Sequence, residues 1–144
     1  MWESIKYQEL SIREWGHMQE TPEKIRSFTG LRAWEEAHKL VIMIYTTTKK
    51  FPKEELLGLT SQVRRASVSI SSNIAEGFSR NFPKEKRMFY SHALASLTEV
   101  QNQLLIARDI QYLSEAEFKT LADQTILTSK LLNGLKKKTL LLNS

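Results

Sequence analysis

The chain has 144 residues, no cysteine, 41% hydrophobic and 26% charged residues, and a formal net charge of +5. That length holds one domain with one core, and the lack of thiols excludes disulfides and Cys-ligated zinc, which fits a reducing, cytoplasmic setting. The longest apolar run, Leu40 to Tyr45, falls far short of the about 20 residues a membrane span needs, and charges from Glu3 to Glu14 break up the first residues, so neither a membrane span nor a secretion signal is expected.

Charge is uneven along the chain. Residues 1–30 carry four basic groups (Lys6, Arg13, Lys24, Arg26) and five acidic ones (Glu3, Glu9, Glu14, Glu20, Glu23), leaving seventeen basic and eleven acidic residues, net +6, for the remainder. A basic body attracts polyanions, although a net charge of this size also serves solubility alone.

Residues 1–28 read as an N-terminal extension. Trp2, Ile5, Leu10, Ile12, Trp15 and Met18 fit a helix loosely, and Gly16 and Pro22 would interrupt a long one. A short helix near Ser4 to Trp15 and then a link are expected.

Residues 29–144 read as four helices and no strands. The breaks are Phe51-Pro52, Phe82-Pro83 and Gln111-Tyr112-Leu113-Ser114, since proline disfavours helix in the residue before it and suits a first turn. The first helix, about Leu31 to Lys50, is expected to bury the line Leu31, Trp34, His38, Val41, Tyr45 and Thr48, flanked by Ala37, Leu40 and Ile44. The second, from near Lys53 to Ser79, points Leu59, Val63, Ala66, Ile70, Ile74 and Phe78 inward, with Gly58 loosening its start and Gly77 breaking its last turn. Its small residues (Ala66, Ser67, Ser69, Ser71, Ser72, Ala75) suit a crowded position or a subunit contact. The third, Pro83 to about Gln111, presents Phe89, Ala93, Ser96, Val100, Leu104 and Ala107. The fourth opens on Ser114-Glu115-Ala116-Glu117, a capping box, and runs through Leu121, Thr125, Thr128 and Leu132 into Lys136-Lys137-Lys138, cations suited to a helix C-terminus. Short connections make these helices neighbours, and the economical packing is an all-α, antiparallel up-down-up-down four-helix bundle.

On the second helix, Arg65, Ser69, Ser72 and Glu76 share one face, with Asn73 beside it. This polar seam reads either as a hydrogen-bonded network fixing register or subunit contacts, with Glu99 as an arginine partner, or as an anion-binding surface built on Arg64 and Arg65. The same residues carry a resemblance. Gln62 to Arg65, Ser69-Ile70 and Asn73-Ile74-Ala75-Glu76-Gly77 followed by Arg80 resemble the four-helix-bundle proteins encoded in intervening sequences of bacterial 23S ribosomal RNA genes. Leu31, Trp34, Phe51-Pro52 with Glu55, Gly58-Leu59, Phe89, Ala93, Ser96-Leu97 and Glu99 extend the likeness over about residues 24–135. Ala95 stands where members often carry glycine, and residues 1–20 have no counterpart.

The resemblance implies a left-handed antiparallel bundle assembled into a homopentameric ring. It also implies kinship with accessory subunits of diversity-generating reverse transcriptases, which contact nucleic acid and the transcriptase through a basic surface. It implies no established activity for the family, so function must be argued from residues.

The candidate basic surface comprises Arg64, Arg65, Arg80, Lys84, Lys86, Arg87, Lys136, Lys137 and Lys138; repetition around a ring would raise its avidity. Lys136 to Lys138 read more readily as a solvated helix end. Glu35-Glu36-Ala37-His38 has the Glu-x-x-His spacing of di-metal bundles, but the only other match, Glu14 to His17, lies in the extension, so no metal, cofactor or catalytic residue is expected. Phosphate loops and nucleophile elbows are lacking. The sequence thus predicts a non-enzymatic homo-oligomer whose partners are itself, RNA or DNA, and a reverse transcriptase or other protein. A protein-assembly scaffold that never touches nucleic acid is the alternative.

Overall fold

In the computed structural model, residues 24–141 are described; the expected short helix near residues 4–15 lies outside them. Four helices follow a single 3-10 turn at Phe28–Gly30: α1 (Arg32–Thr48), α2 (Leu59–Ser79), α3 (Pro83–Asp109) and α4 (Glu115–Leu141), with no strand among the described residues. At 27 residues each, α3 and α4 are about 40 Å long at 1.5 Å per residue.

The helix ends have local causes. Before α1, Ser27 Oγ accepts from the Thr29 amide at 3.2 Å. The second helix starts later than its sequence suggests, because Lys53–Glu55 forms a separate 3-10 turn. Gly58 takes the N-cap position of α2, and the Glu55 carboxylate receives the Leu59 amide at 3.1 Å, supplying the cap that glycine lacks. Pro83 opens α3. That helix closes through two reversed bonds, Gln111 N to Arg108 O at 3.0 Å and Tyr112 N to Ala107 O at 2.8 Å. Gln111 adopts φ 67° to make them, the left-handed C-terminal turn usually given to glycine. At α4 both halves of the capping box form, Glu117 N to Ser114 Oγ at 3.1 Å and Ser114 N to Glu117 Oε1 at 2.9 Å.

Each helix packs against those before and after it, and α4 returns to α1. The shared interior holds Leu40, Ile44, Ile70, Ile74, Leu97, Val100 and Leu132; truncating one such side chain to alanine costs about 2–5 kcal/mol. Between α2 and α3, the Ser69 and Ser96 hydroxyls meet at 2.8 Å. Between α3 and α4, Gln101 donates to Thr125 Oγ1 at 3.1 Å and Arg108 lies over the Phe118 ring. Between α1 and α4, Gln124 donates to the Glu36 backbone and carboxylate oxygens, each at 2.9 Å, and Lys50 pairs with Glu117.

Two expectations are corrected. On α1 the expected Leu31, Trp34 and Thr48 are buried together with the flanking Ala37, Leu40 and Ile44, but His38 and Val41 are half-buried and Tyr45 is 40% exposed; the centre of the stripe shifts toward Ala37, Leu40 and Ile44 because α1 packs between α2 and α4. Gly77 does not break α2: it is buried inside the helix, and a Cβ there would lie 2.6 Å from Tyr90 Cε1. Lys136, Lys137 and Lys138 lie, as expected, in the last turns of α4.

Candidate nucleic-acid interface

The α2–α3 turn gathers four of the expected basic residues, each in a different setting. The C-terminus of α2 leaves backbone carbonyls without helical partners and carries partial negative charge. Lys86, from the first turns of α3, reaches back to it: Nζ donates to Phe78 O at 2.6 Å and sits 5.3 Å from the Phe78 ring centre. Burial lowers the Lys86 pKa. The Arg80 guanidinium lies 4.6 Å over the Phe89 ring. Arg87 is half-buried, and its Nη1 is enclosed without a hydrogen-bond partner. Lys84 is exposed.

Lys136 to Lys138 belong to the same end. Arg108 meets Phe118 and Gln101 meets Thr125, so seven residues back along α3 correspond to seven forward along α4. Continuing that register sets Lys138 level with Met88. The start of α1 arrives there as well: Arg64 Nε donates to Thr48 Oγ1 at 2.9 Å, placing late α1 beside early α2, and the Phe28–Gly30 turn packs on both helices.

Charge is therefore segregated by position along the helices. Residues 24–36, 76–87 and 136–141 hold ten basic residues (Lys24, Arg26, Arg32, Arg80, Lys84, Lys86, Arg87, Lys136, Lys137, Lys138) against four acidic ones (Glu35, Glu36, Glu76, Glu85). All other residues of 24–141 hold nine basic and seven acidic. Three stretches far apart in sequence thus build one cationic end, with net +6 against +2 for the rest.

Arg64 and Arg65 stand apart from that end. Arg64 is held by Thr48 and by the Tyr45 ring, 4.8 Å from its Cζ, whereas Arg65 is exposed on early α2. The polar seam is narrower than its spacing implies. Asn73 Nδ2 donates to Ser69 O at 2.8 Å and Ser69 Oγ at 3.1 Å, and Ser69 bridges to Ser96. Ser72 and Glu76 face outward. Glu99 accepts from Gln103 Nε2 at 3.2 Å and forms no ion pair with Arg65.

Glu36 and His38 occupy structural places. The Glu36 pKa ends up lowered although burial pushes it upward, because Gln124 and Lys39 donate to its carboxylate. His38 stacks on Trp34 with centroids 4.8 Å apart. Among the described residues no three His, Asp or Glu side chains gather as a metal site requires, and no helix there is long and apolar enough to cross a membrane.

Sequence reading missed Lys24, Arg26 and Arg32 as members of the cationic end. The expected helix order carried that signal, since the start of a first helix adjoins the end of a second when the chain doubles back. It also missed Ser96 as the partner of Ser69, and Gln103, a buried amide whose Oε1 lacks a partner.

Four helices in a closed cycle around one core, with cations clustered at one end, define an all-helical protein. The sequence pattern of the 23S rRNA-intervening sequence protein family matches residues 29–134, and the chain belongs to that family. A crystal structure of a protein of unknown function from the S23 ribosomal protein family of Bacteroides thetaiotaomicron VPI-5482 is similar in fold. It has a TM-score of 0.68 at 18% identity, covering 73% of this chain and 95% of that one. No curated protein matches the sequence.

Proposed function

We propose that the protein is a non-enzymatic homo-oligomer, a pentameric ring of left-handed, antiparallel up-down-up-down bundles, that binds nucleic acid in the cytoplasm through its cationic end. The helix pairings support the up-down order: late α1 beside early α2, Ser69 beside Ser96, and Arg108 beside Phe118. Apolar side chains left outside, including Ile42, Ile106, Ile110 and Ile126, support contact between copies.

The observation that carries the reading is the gathering of cations from three stretches of chain at one end. Lys24, Arg26, Arg32, Arg80, Lys84, Lys137 and Lys138 are its exposed members, and Arg80 among them lies over the Phe89 ring. Lys86 and Arg87 serve the α2–α3 junction first. Binding through such a surface is electrostatic and indifferent to base sequence.

The test is retention of an RNA or DNA oligonucleotide at low salt by the intact protein and by K84E/K137E/K138E, with molar mass measured by light scattering. The reading requires binding by the first, loss in the second, and a mass five times the 16.7 kDa chain for both. Absence of binding at low salt, with the oligomer intact, favours the protein-scaffold alternative, which the outward apolar residues would serve equally well.

A further inference from the structure

Of the ten aromatic side chains in residues 24–141, nine are already engaged. Tyr90 is enclosed in the core. Phe28 meets Trp34, and Phe51 meets Tyr112, ring to ring. The other four each lie under a cation, as Phe89 does under Arg80 and Tyr45 under Arg64. Phe82 is the tenth. It is 65% exposed, and among the described residues no ring or cation covers it. Single exposed apolar residues are common on proteins; what sets this one apart is where it stands.

It stands at the tip of the cationic end. Residues 80–88 hold Arg80, Lys84, Lys86 and Arg87 against Glu85 alone, and Arg80 and Lys84, two positions to either side of Phe82, are exposed. Lys138, level with Met88, is about 9 Å from it along the helix direction. The backbone beneath the ring is fixed rather than loose. The Lys86 amide donates to Phe82 O at 3.0 Å, Pro83 follows with its restricted dihedral, and Lys86 Nζ ties the same turn to Phe78 O. A ring presented this way loses little further freedom on binding. A second copy of the same end is a poor occupant, since like charges would be brought together.

We propose that Phe82 is a base-stacking platform, which makes the cationic end a site for single-stranded nucleic acid, whose unpaired bases offer the ring a free face. The inference rests on the nucleic-acid reading and deepens it by naming the strand state bound. Arg80 and Lys84 take the phosphates next to the stacked base, and Lys137 and Lys138 those further along the strand. Stacking is tolerant of base identity because every base has a π face, so it adds strength without sequence preference. In a duplex both faces of each base are covered by its neighbours, and the ring gains nothing there.

The experiment compares the full-length protein with Phe82→Ala, Phe82→Leu and Phe82→Trp. Affinity at low salt for a short oligothymidine and for a long duplex is read by fluorescence anisotropy, and molar mass by light scattering. Phe82→Ala is expected to bind oligothymidine about fivefold to hundredfold more weakly, the loss of one stacked base. Its duplex affinity should stay within about twofold, because phosphate contacts alone carry that binding, and its mass should not change. Phe82→Leu keeps an apolar side chain without a π face and should fail as alanine does. Phe82→Trp should bind like the unaltered protein, with its added indole emission quenched by oligothymidine. Equal oligothymidine affinity of the unaltered protein and Phe82→Ala overturns the inference, as does an equal loss on both nucleic acids or rescue by leucine. A fall in molar mass of Phe82→Ala also overturns it, by placing the ring in a subunit contact. In each of these cases the unaltered protein still binds and the nucleic-acid reading stands; if it binds neither oligothymidine nor duplex, both fall.

Discussion

Only a hydrogen atom separates the Gly77 backbone from α3. A Cβ there would fall 2.6 Å from Tyr90 Cε1, 2.9 Å from Tyr90 Cδ1 and 3.1 Å from Phe89 Cβ. Tyr90 has no room to swing clear, because it is 1% exposed; the same burial pushes its phenol pKa up to about 12. Alanine is otherwise the better helix residue by about 1 kcal/mol, so the sign of Gly77→Ala depends on which effect wins. Overpacking a core typically costs about 1–3 kcal/mol, and here two helices meet at the point of insertion. Gly77→Ala is therefore expected to destabilise by about 1–2 kcal/mol net, read as a lower urea midpoint with an unchanged slope. An equal or higher midpoint would show that α2 and α3 separate more easily than this packing allows. The residue itself was legible as special, but its role was not. Glycine near the end of a helical pattern signals a break, and nothing in the sequence says that an aromatic ring thirteen positions later fills its space.

At the scale of elements, the ends of α3 and α4 differ in how plainly they are written. Ser114 and Glu117 satisfy each other's amides within four consecutive residues, so the pattern is local and readable. Gln111 carries no such mark, yet it turns at φ 67° to close α3. A side chain in the left-handed region costs about 1 kcal/mol that glycine avoids. Gln111→Gly is accordingly expected to raise stability by about 0.5–1 kcal/mol in thermal or urea unfolding; a loss would mean that the Gln111 side chain makes a contact outweighing its backbone strain. Glu117 gives the pH counterpart. Its carboxylate receives Lys50 first and the Ser114 amide second, and its pKa falls to about 2. Because the folded value lies below the ordinary carboxylate value of 4.5, the contribution is fully present above about pH 5 and is lost as pH falls toward about pH 2. The group is a third exposed, so solvent screening keeps it below about 1 kcal/mol. Glu117→Gln should flatten that part of the stability–pH curve, and an unchanged acid limb would refute the assignment. The stripe of α1 was legible as a stripe but rotated, because Val41 and Tyr45 match the helical period as well as Leu40 and Ile44 do. Only the positions of α2 and α4 decide between them. Lys86 looked like a free cation for a similar reason: the carbonyls it binds belong to backbone and leave no trace in sequence.

For the whole molecule, the distribution of charge distinguishes two explanations of the same net value. If the excess of cations served solubility alone, reversing any three exposed ones would have the same effect on polyanion binding. The proposed up-down order instead concentrates them at one end, with Lys84 from α3 and Lys137 and Lys138 from α4 among its exposed members. Lys49, Lys53 and Arg65 are as exposed but belong to the end where Glu54, Glu55 and Glu115 offset them. Every duplex phosphate that a cation no longer neutralises lowers the log–log salt slope by about 0.9. K84E/K137E/K138E should therefore weaken duplex binding and flatten its salt dependence by about 2–3 in slope. K49E/K53E/R65E, with an identical change in net charge, should leave the slope within about 1 of the unaltered protein. Fluorescence anisotropy across a salt series reads both, and far-ultraviolet circular dichroism checks that neither variant unfolds. Equal weakening in the two variants would return the charge to a general role in solubility, because only a spatial cluster makes the position of a cation matter more than its number.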